Sequence, residues 1–291
     1  MIAVLGWLGA LLGSFVGAQV WRLRARQLVD DGKHGEDVDL SELKRIKGII
    51  RPVTSDRSEC LYCHHRLAWY DLLPVISWLT LKGRCRYCYR NIGAMEPLLE
   101  IGLAVTFIVS YLAWPASLTS TYGLAGFTLW LVACTVMALL FAYDARWYLL
   151  PFSINITLIV VAAIFAGLRI FHAGLNIDML WSLVYGVAIM SGIYFIFSLF
   201  GWVGLGDSIL GLGLALLVGR WELAFFAIFL ANLLGCFMLI PLALQGKLRR
   251  KVHIPFGPFL ITGAFIALLW GDAIITTVLA SSDAILNLLM V

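Results

Sequence analysis

Long apolar stretches alternate with short polar ones along most of the chain. Runs of about 18 or more apolar residues are long enough to cross a bilayer as helices. Such runs cover residues 2–20, 95–113, 124–142, 152–171, 178–200 and 254–281. The pattern therefore predicts an all-α polytopic membrane protein.

One further apolar stretch, residues 208–243, is too long for a single crossing. As a helix it would measure about 54 Å, whereas the hydrocarbon core of a bilayer is about 30 Å thick. A polar interruption occurs at residues 219–222, and we place a break there. The break gives about eight transmembrane helices, of which the one ending at residue 218 is short for a full span.

Composition and charge agree with this topology. Of the 291 residues, 62% are hydrophobic and 13% are charged, and the mean hydropathy is +0.93. These values exclude a water-soluble domain and a disordered chain, and the low charge density argues against nucleic acid as a partner. Of the 21 Lys and Arg residues, 14 lie between Arg22 and Arg90. With eight spans this segment and the basic cluster at 247–251 share one face, which the positive-inside rule makes cytoplasmic, so both termini are expected outside.

Four cysteines in the polar segment form two C-x-x-C pairs with 21 residues between the pairs. Thiolates on two tight turns can converge into the tetrahedral set that Zn²⁺ accepts in structural sites. A reducing compartment disfavours the alternative of disulfides. The spacing predicts a small cytoplasmic zinc-ribbon-like loop domain. His64 and His65 are expected in a solvated turn, with replacement of one thiolate ligand as the alternative. The predicted ligands are Cys60, Cys63, Cys85 and Cys88.

Two aspartates lie at the ends of predicted spans, where a charge is costly unless it is exposed or used. Asp144 ends the third span, and Asp207 follows a glycine-rich turn just before the sixth. Two crossings separate them, so both carboxylates can lie at one face. Two neighbouring carboxylates that share a proton can activate water for attack on a carbonyl, which is aspartyl-protease chemistry. The alternatives are a helix cap for Asp207 and an ion pair with Arg146 for Asp144.

Glu96 and Glu100 lie one helical turn apart at the start of the second predicted span. Acidic residues are favoured near a helix N-terminus, and Pro97 suits an early helical position. Anchoring of the span and a functional role are therefore both open for these two acids.

The order of these motifs resembles the prepilin peptidases, membrane aspartyl proteases that process type IV pilins and type II secretion pseudopilins. The similarity extends over nearly the whole chain. The matching blocks are Gly13-Ser14-Phe15, Trp21-Arg22, Trp69 to Trp78, Lys82 to Arg86, Pro97 to Glu100, Asp144 with Leu150-Pro151, Gly204 to Asp207, and Pro255 to Pro258.

The resemblance implies that Asp144 and Asp207 are catalytic. It also implies cleavage of prepilin or pseudopilin leader peptides after a glycine, on the cytoplasmic side of the bacterial inner membrane, with no metal in the hydrolysis. Many members of the family also methylate the new N-terminal amine with S-adenosylmethionine. The residues that would support the motifs or bind substrate are Gly204, Gly206, Pro151, Pro255, Gly257 and Glu100.

The sequence divides into three expected regions. They are a first transmembrane helix at 1–21, a cytoplasmic loop domain at 22–94 and a membrane-embedded protease core at 95–291. Residues 27–56 are charged and lack an apolar period, which indicates an insertion in the loop domain.

The sequence departs from the family pattern at four places. Phe152 stands where Asp or Asn is common, and Ile209 stands where Lys is usual. Gly17 replaces a usual Asn, and Met95-Glu96 replaces a common Arg-Tyr pair. The first two departures favour the alternative hypothesis, a non-catalytic membrane scaffold or assembly factor of the same fold.

Overall fold

The computed structural model describes residues 1–50, 57–244 and 254–289. Within these ranges the regular structure is helical, and β pairing is limited to two single antiparallel bridges. The all-α prediction is therefore confirmed. The helices are α1 (Ile2–Lys33), α2 (Leu40–Ile46), α3 (Ile76–Thr80), α4 (Met95–Ala113), α5 (Thr121–Trp147), α6 (Phe152–Ala173), α7 (Ile177–Val187), α8 (Ile193–Leu199), α9 (Leu205–Val218), α10 (Trp221–Leu244) and α11 (Gly257–Leu289).

Seven stretches of helix in the described ranges are long and apolar enough to cross a membrane. They lie in α1, α4, α5, α6, α10, α11 and the continuous run Ile177–Leu199. The sixth predicted span corresponds to α9, which has 14 residues and is too short. The predicted break is confirmed, because α9 ends at Val218, Gly219 has a left-handed φ of 74°, and α10 begins at Trp221. The chain is thus a multi-pass membrane protein, with seven long apolar helices and one short one in the part that the structure describes.

Which ends of the membrane-spanning helices face the cytoplasm stays a prediction. The basic cluster Lys247, Arg249, Arg250 and Lys251 lies outside the described residues.

The chain folds as two compact units, residues 1–111 and 112–291. The expected boundaries at residues 21 and 94 also remain predictions.

In the first unit, the charged segment after the first span is more regular than its sequence suggests. Helix α1 continues past the apolar stretch to Lys33, and α2 follows with Asp39 as its N-cap. Arg24 on α1 donates to Glu42 on α2 from Nε at 3.0 Å and from a terminal nitrogen at 2.9 Å. The segment 27–56 is therefore partly helical despite its missing apolar period, and its residues 51–56 lie outside the described ranges.

Glycines spaced four residues apart on α1 set its distance to α4. A Cβ on Gly9 would lie 2.6 Å from the carbonyl oxygen of Leu103, and one on Gly13 would lie 2.5 Å from Cα of Glu100. Small residues at this spacing let two helix backbones approach closely inside a membrane. The Gly13-Ser14-Phe15 block therefore belongs to a close helix–helix contact.

In the second unit, α6 and α9 run in the same direction side by side. Asn155 near the start of α6 donates to the carbonyl oxygen of Gly206 at 3.4 Å. Arg169 near the end of α6 donates to the carbonyl oxygens of Leu216 and Val218 at 2.7 and 2.9 Å. The N-termini of α6 and α9 therefore lie side by side. This agrees with the two predicted crossings between Asp144 and Asp207, which return the chain to the same face of the membrane.

A π-helical segment, Ala188–Gly192, joins α7 to α8 and packs against α9. Ser208 on α9 donates its hydroxyl to the carbonyl oxygen of Ser191 at 3.0 Å. A Cβ on Gly211 would overlap the carbonyl oxygen of Met190. The small residues of α9 thus bring its backbone into contact with the π turn.

The close contact between α1 and α4 predicts how a side chain at Gly13 changes the stability of the protein. Gly13→Ala should destabilise the protein by about 1–3 kcal/mol, because the new methyl group would overlap the α4 backbone. The matched control is Gly102→Ala on α4, where a Cβ meets nothing within 4 Å. This control should be neutral or slightly stabilising, since Ala is the better helix former. Thermal unfolding in nanodiscs distinguishes them, and equal effects of the two variants would contradict the close contact.

Candidate active site and metal centre

Asp144 lies in the last turn of α5 and is 4% exposed. Its Oδ2 accepts a hydrogen bond of 2.9 Å from the backbone N–H of Gly257, the first residue of α11. Unpaired amides and the partial positive charge at a helix N-terminus favour a carboxylate there. A Cβ on Gly257 would lie 2.8 Å from the same oxygen. Only glycine at this position therefore lets the amide approach Asp144 without a clash.

Asp207 lies in the first turn of α9, three residues after the N-cap Gly204. A Cβ on Gly204 would lie 3.3 Å from Oδ2 of Asp207, so the missing side chain leaves room for this carboxylate. Leu150 contacts both Gly206, next to Asp207, and Gly257, whose amide donates to Asp144. The structure thus brings the two predicted aspartates together, although 62 residues separate them in the chain.

Leu150 packs against the glycines of both aspartate motifs. A Cβ on Gly206 would lie 3.0 Å from Cβ of Leu150, and one on Gly257 would lie 3.4 Å from its Cδ2. Pro151 follows as the N-cap residue of α6, and Pro255 precedes α11. The Leu-Pro, Gly-x-Gly-Asp and Pro-Phe-Gly-Pro blocks therefore form one packed group around the carboxylates.

Three polar residues near the pair were missed by the sequence analysis. Asn155 is buried and donates to the carbonyl oxygen of Gly206, next to Asp207. Ser208 is buried against the π-helical segment, and buried Tyr194 lies near enough to Asp207 to interact with its charge. Each is a polar group inside an apolar run, which was the available signal.

The two unusual motif positions differ in their surroundings. Phe152, the first residue of α6, is 66% exposed, so most of its side chain lies outside the protein interior. Ile209, two residues after Asp207, is half-buried in α9. The buried surroundings of Asp144 therefore do not depend on burial of the Phe152 ring.

The four predicted cysteine ligands converge in the first unit. Their sulfur atoms all lie within 4.8 Å of one another, and Sγ of Cys60 is 3.9 Å from Sγ of Cys88. Four sulfurs at about 2.3 Å from a tetrahedral Zn²⁺ would be about 3.8 Å apart. All four cysteines are free thiols. The arrangement therefore fits a structural zinc ion better than a pair of disulfides, whose sulfurs are about 2.0 Å apart.

The two C-x-x-C pairs fold into the same turn. In each, the residue four positions after the first cysteine donates its N–H to the carbonyl oxygen of that cysteine. The donors are His64 to Cys60 and Tyr89 to Cys85, both at 2.9 Å, with left-handed φ angles of 53° and 58°. The ring of His64 faces Glu59, with Nδ1 3.4 Å from Oε1, and the sulfur cluster includes no histidine.

Asp71 links the aromatic block to the second cysteine pair. Its carboxylate, 4% exposed, accepts from Arg86 Nε at 2.7 Å, from the Tyr87 hydroxyl at 3.1 Å and from the Ala68 N–H at 3.2 Å. Burial alone would raise the pKa of Asp71, but these three donors outweigh it and hold the pKa below its ordinary value. A hydrogen bond with Tyr70, burial and the charge of Asp71 together raise the pKa of Tyr87 to about 12.

A cavity of about 190 Å³ also lies in the first unit, between the middle of α1, the start of α4 and the cysteine turns. The ring N–H of Trp21 donates to Oε1 of Glu96 at 2.9 Å, and Oε2 of Glu96 is buried without a hydrogen-bond partner among the described residues. Glu100 is buried and accepts from the N–H of Val75 at 2.6 Å. Aromatic rings and charges of both signs line the cavity, among them Trp21, Trp78, Glu96, Glu100, Arg22 and Arg57.

Comparisons with known proteins agree with this arrangement. Residues 7–114 match the Bacterial Peptidase A24 N-terminal domain, and residues 131–240 match the Type IV leader peptidase family. A prepilin leader peptidase/N-methyltransferase of Stutzerimonas stutzeri is 30% identical over 271 residues, which cover 92% of this chain and 90% of the relative. The chain belongs to the type IV leader peptidase family.

Other members of the family show similar agreement. Relatives with the same name are 31% identical over 277 residues in Pseudomonas putida and 32% identical over 226 residues in Aeromonas hydrophila. The first alignment covers 92% of this chain and 90% of the relative, and the second covers 75% and 73%. No solved structure matches the chain. The resemblance drawn from the motifs is confirmed at the level of the type IV leader peptidase family.

The cysteine cluster predicts the metal content of the purified protein. We expect about one zinc ion per chain, held by the four thiolates. The double substitution Cys60→Ser and Cys85→Ser should reduce zinc to background, because it removes one ligand from each turn. Cys236→Ser, at a cysteine outside the cluster, should leave the metal content unchanged. Elemental analysis by mass spectrometry measures this, and full zinc content in the double variant would contradict the site.

The lowered pKa of Asp71 makes a prediction about pH. Its stabilising contribution is fully present above the unfolded pKa of about 3.9 and is lost only as pH falls through the lower folded value. Asp71→Asn should therefore lower the unfolding temperature by the same several degrees at pH 6, 7 and 8. Asp37→Asn, at an exposed acid of the same unit, should have no such effect. A wild-type advantage that changes across this pH range would contradict the prediction.

Proposed function

We propose that this protein is an aspartyl endopeptidase that removes the leader peptides of type IV prepilins or pseudopilins. The observation that carries the proposal is the convergence of Asp144 and Asp207, from the end of α5 and the start of α9, onto motifs that Leu150 packs together. The names of the relatives supply the substrate class. Cleavage after a glycine at the cytoplasmic face of the bacterial inner membrane belongs to the same proposal.

The geometry supports a division of roles between the two acids. The Gly257 amide at the start of α11 donates to Asp144, so it stabilises negative charge on that carboxylate. We assign Asp144 as the base that takes a proton from water, and Asp207 as the acid that donates its proton to the carbonyl oxygen. Water then adds to the carbonyl carbon. The C–N bond breaks when the proton held by Asp144 passes to the leaving amine, and Asp207 recovers its proton from the collapsing diol.

The supporting residues have separate parts in this proposal. Gly204 leaves space beside Asp207, Gly206 lets Leu150 approach the same turn, and Pro151 caps the N-terminus of α6. The four cysteines would hold Zn²⁺, which would cross-link the two turns of the loop domain. With four thiolate ligands the ion has no open position for water, so its part is structural.

Methylation of the new N-terminal amine is the second activity that the relatives' names suggest. S-adenosylmethionine would supply the methyl group. Its sulfonium is a cation and its adenine is a flat aromatic ring, and both suit a cavity that offers indole faces and carboxylates. The cavity beside Trp21, Trp78 and Glu96 fits such a group, because Oε2 of Glu96 is buried without a partner in the described structure.

Cleavage of a prepilin-like peptide by the purified protein tests the proposal. Asp144→Asn and Asp207→Asn should each reduce cleavage by at least about 1,000-fold, because the two groups act as a unit. Asp178→Asn, at an exposed acid in the first turn of α7, should cleave like the wild type. Mass spectrometry identifies the cut, and with S-adenosylmethionine present it also detects an added methyl mass.

Two outcomes would contradict the proposal. If either aspartate variant still cleaves the peptide, Asp144 and Asp207 are not a catalytic pair. No cleavage of a matched substrate by folded, zinc-loaded wild type would favour the non-catalytic scaffold, with Phe152 and Ile209 as the first residues to replace by the family's polar ones.

A further inference from the structure

Helix α9 is too short to cross the bilayer, so the backbone carbonyls at its C-terminal end lie where water cannot hydrate them. At about 1.5 Å per residue its 14 residues span about 21 Å, which is less than the hydrocarbon thickness of about 30 Å. A helix leaves its last four carbonyls without intrahelical donors, and water is scarce inside a membrane. Donors for the end of α9 must therefore come from the protein.

Arg169 of α6 supplies two of these donors. Its two terminal nitrogens donate to the carbonyl oxygens of Val218 and Leu216 at 2.9 and 2.7 Å. The N–H of Gly219 donates to the carbonyl oxygen of Ala215 at 2.8 Å. A Cβ on Gly219 would overlap the guanidinium, so the glycine both ends the helix and leaves room for the arginine. The positive charge also suits the negative end of the helix dipole.

The other end of α9 is tied to the same helix. Asn155 of α6 donates to the carbonyl oxygen of Gly206, the residue before Asp207. Asn155 and Arg169 lie about 21 Å apart along α6, and the carbonyls of Gly206 and Val218 lie about 18 Å apart along α9. The two spacings nearly match, so α6 contacts α9 at both ends and opposes sliding along its axis.

We propose that Arg169 is a positioning residue for the proposed protease, because it fixes the axial position of α9 and thereby the distance of Asp207 from Asp144. This inference rests on the proposed function. A guanidinium suits the task because its rigid fork reaches two carbonyls at once, which a single ammonium does not do. The Phe165 ring lies 5.0 Å below the guanidinium carbon and holds the fork in a cation–π contact.

The kinetic test compares Arg169→Lys and Arg169→Met with Arg220→Lys. Arg220 is an exposed arginine next to Gly219, and it pairs with Asp272 at 2.7 Å. We expect kcat to fall about 10–100-fold in both Arg169 variants while KM changes less than about threefold, because misplaced catalytic groups affect the transition state alone. The pH profile of kcat should change in width, since the coupling of the two carboxylates depends on their separation. Arg220→Lys should match the wild type.

Gly219→Ala provides a second route to the same defect, because it displaces the guanidinium without removing its charge. We expect it to reproduce the altered pH profile, and we expect the double variant with Arg169→Met to be no worse than the single variants. A merely structural role predicts loss of folded protein with an unchanged pH profile per folded molecule. That outcome, or wild-type kinetics in Arg169→Met, overturns the inference.

A readout without catalysis separates this inference from the proposed function. Asp207→Cys gives a thiol whose labelling rate by a water-soluble maleimide reports its depth. We expect Arg169→Met to change that rate severalfold and Arg220→Lys to leave it unchanged, even if the wild type cleaves no peptide. Equal labelling rates in all backgrounds would overturn the positioning role, whatever the result of the cleavage assay.

Discussion

A polar group buried among apolar helices is costly unless it has a partner within the protein, and this constraint organises the second unit. The Asp144 carboxylate meets the amide of Gly257 at the start of α11. The end of α9 meets the guanidinium of Arg169, and the Gly206 carbonyl meets Asn155. Each of these bonds joins two different helices. The partners that satisfy the polar groups therefore also fix the relative positions of the helices.

Close backbone approach is the second condition for these contacts. An amide can reach Asp144 only because Gly257 has no side chain, and the guanidinium of Arg169 occupies space that a side chain at Gly219 would take. The contact of α1 with α4 uses the same device at Gly9 and Gly13. Glycine in these helices costs intrinsic helix stability, and the polar or packing contact that it permits offsets that cost.

The sequence was sufficient for the spans, the break at Gly219 and the convergence of the cysteines. Hydropathy averages over a helix and reports whether it is apolar, and C-x-x-C spacing reports a local turn. Neither signal reports which helix a polar atom will meet. Asn155 and Arg169 were therefore not singled out, although both are polar residues within one apolar run. The extension of α1 to Lys33 was missed for a related reason, because its stabilising contact, Arg24 with Glu42, is made to a later helix.

The two proposed activities use separate sets of residues. The cavity beside Trp21 and Glu96 and the cysteine cluster are built from residues within 1–111, whereas the two aspartates and their partners belong to 112–291. A zinc ion with four thiolate ligands would have no position for water, so we assign the proposed hydrolysis to the two carboxylates. Cleavage creates the free amine that methylation requires, so the two steps have a fixed order. Because the cavity and the two aspartates share no residues, loss of the cavity should leave cleavage intact.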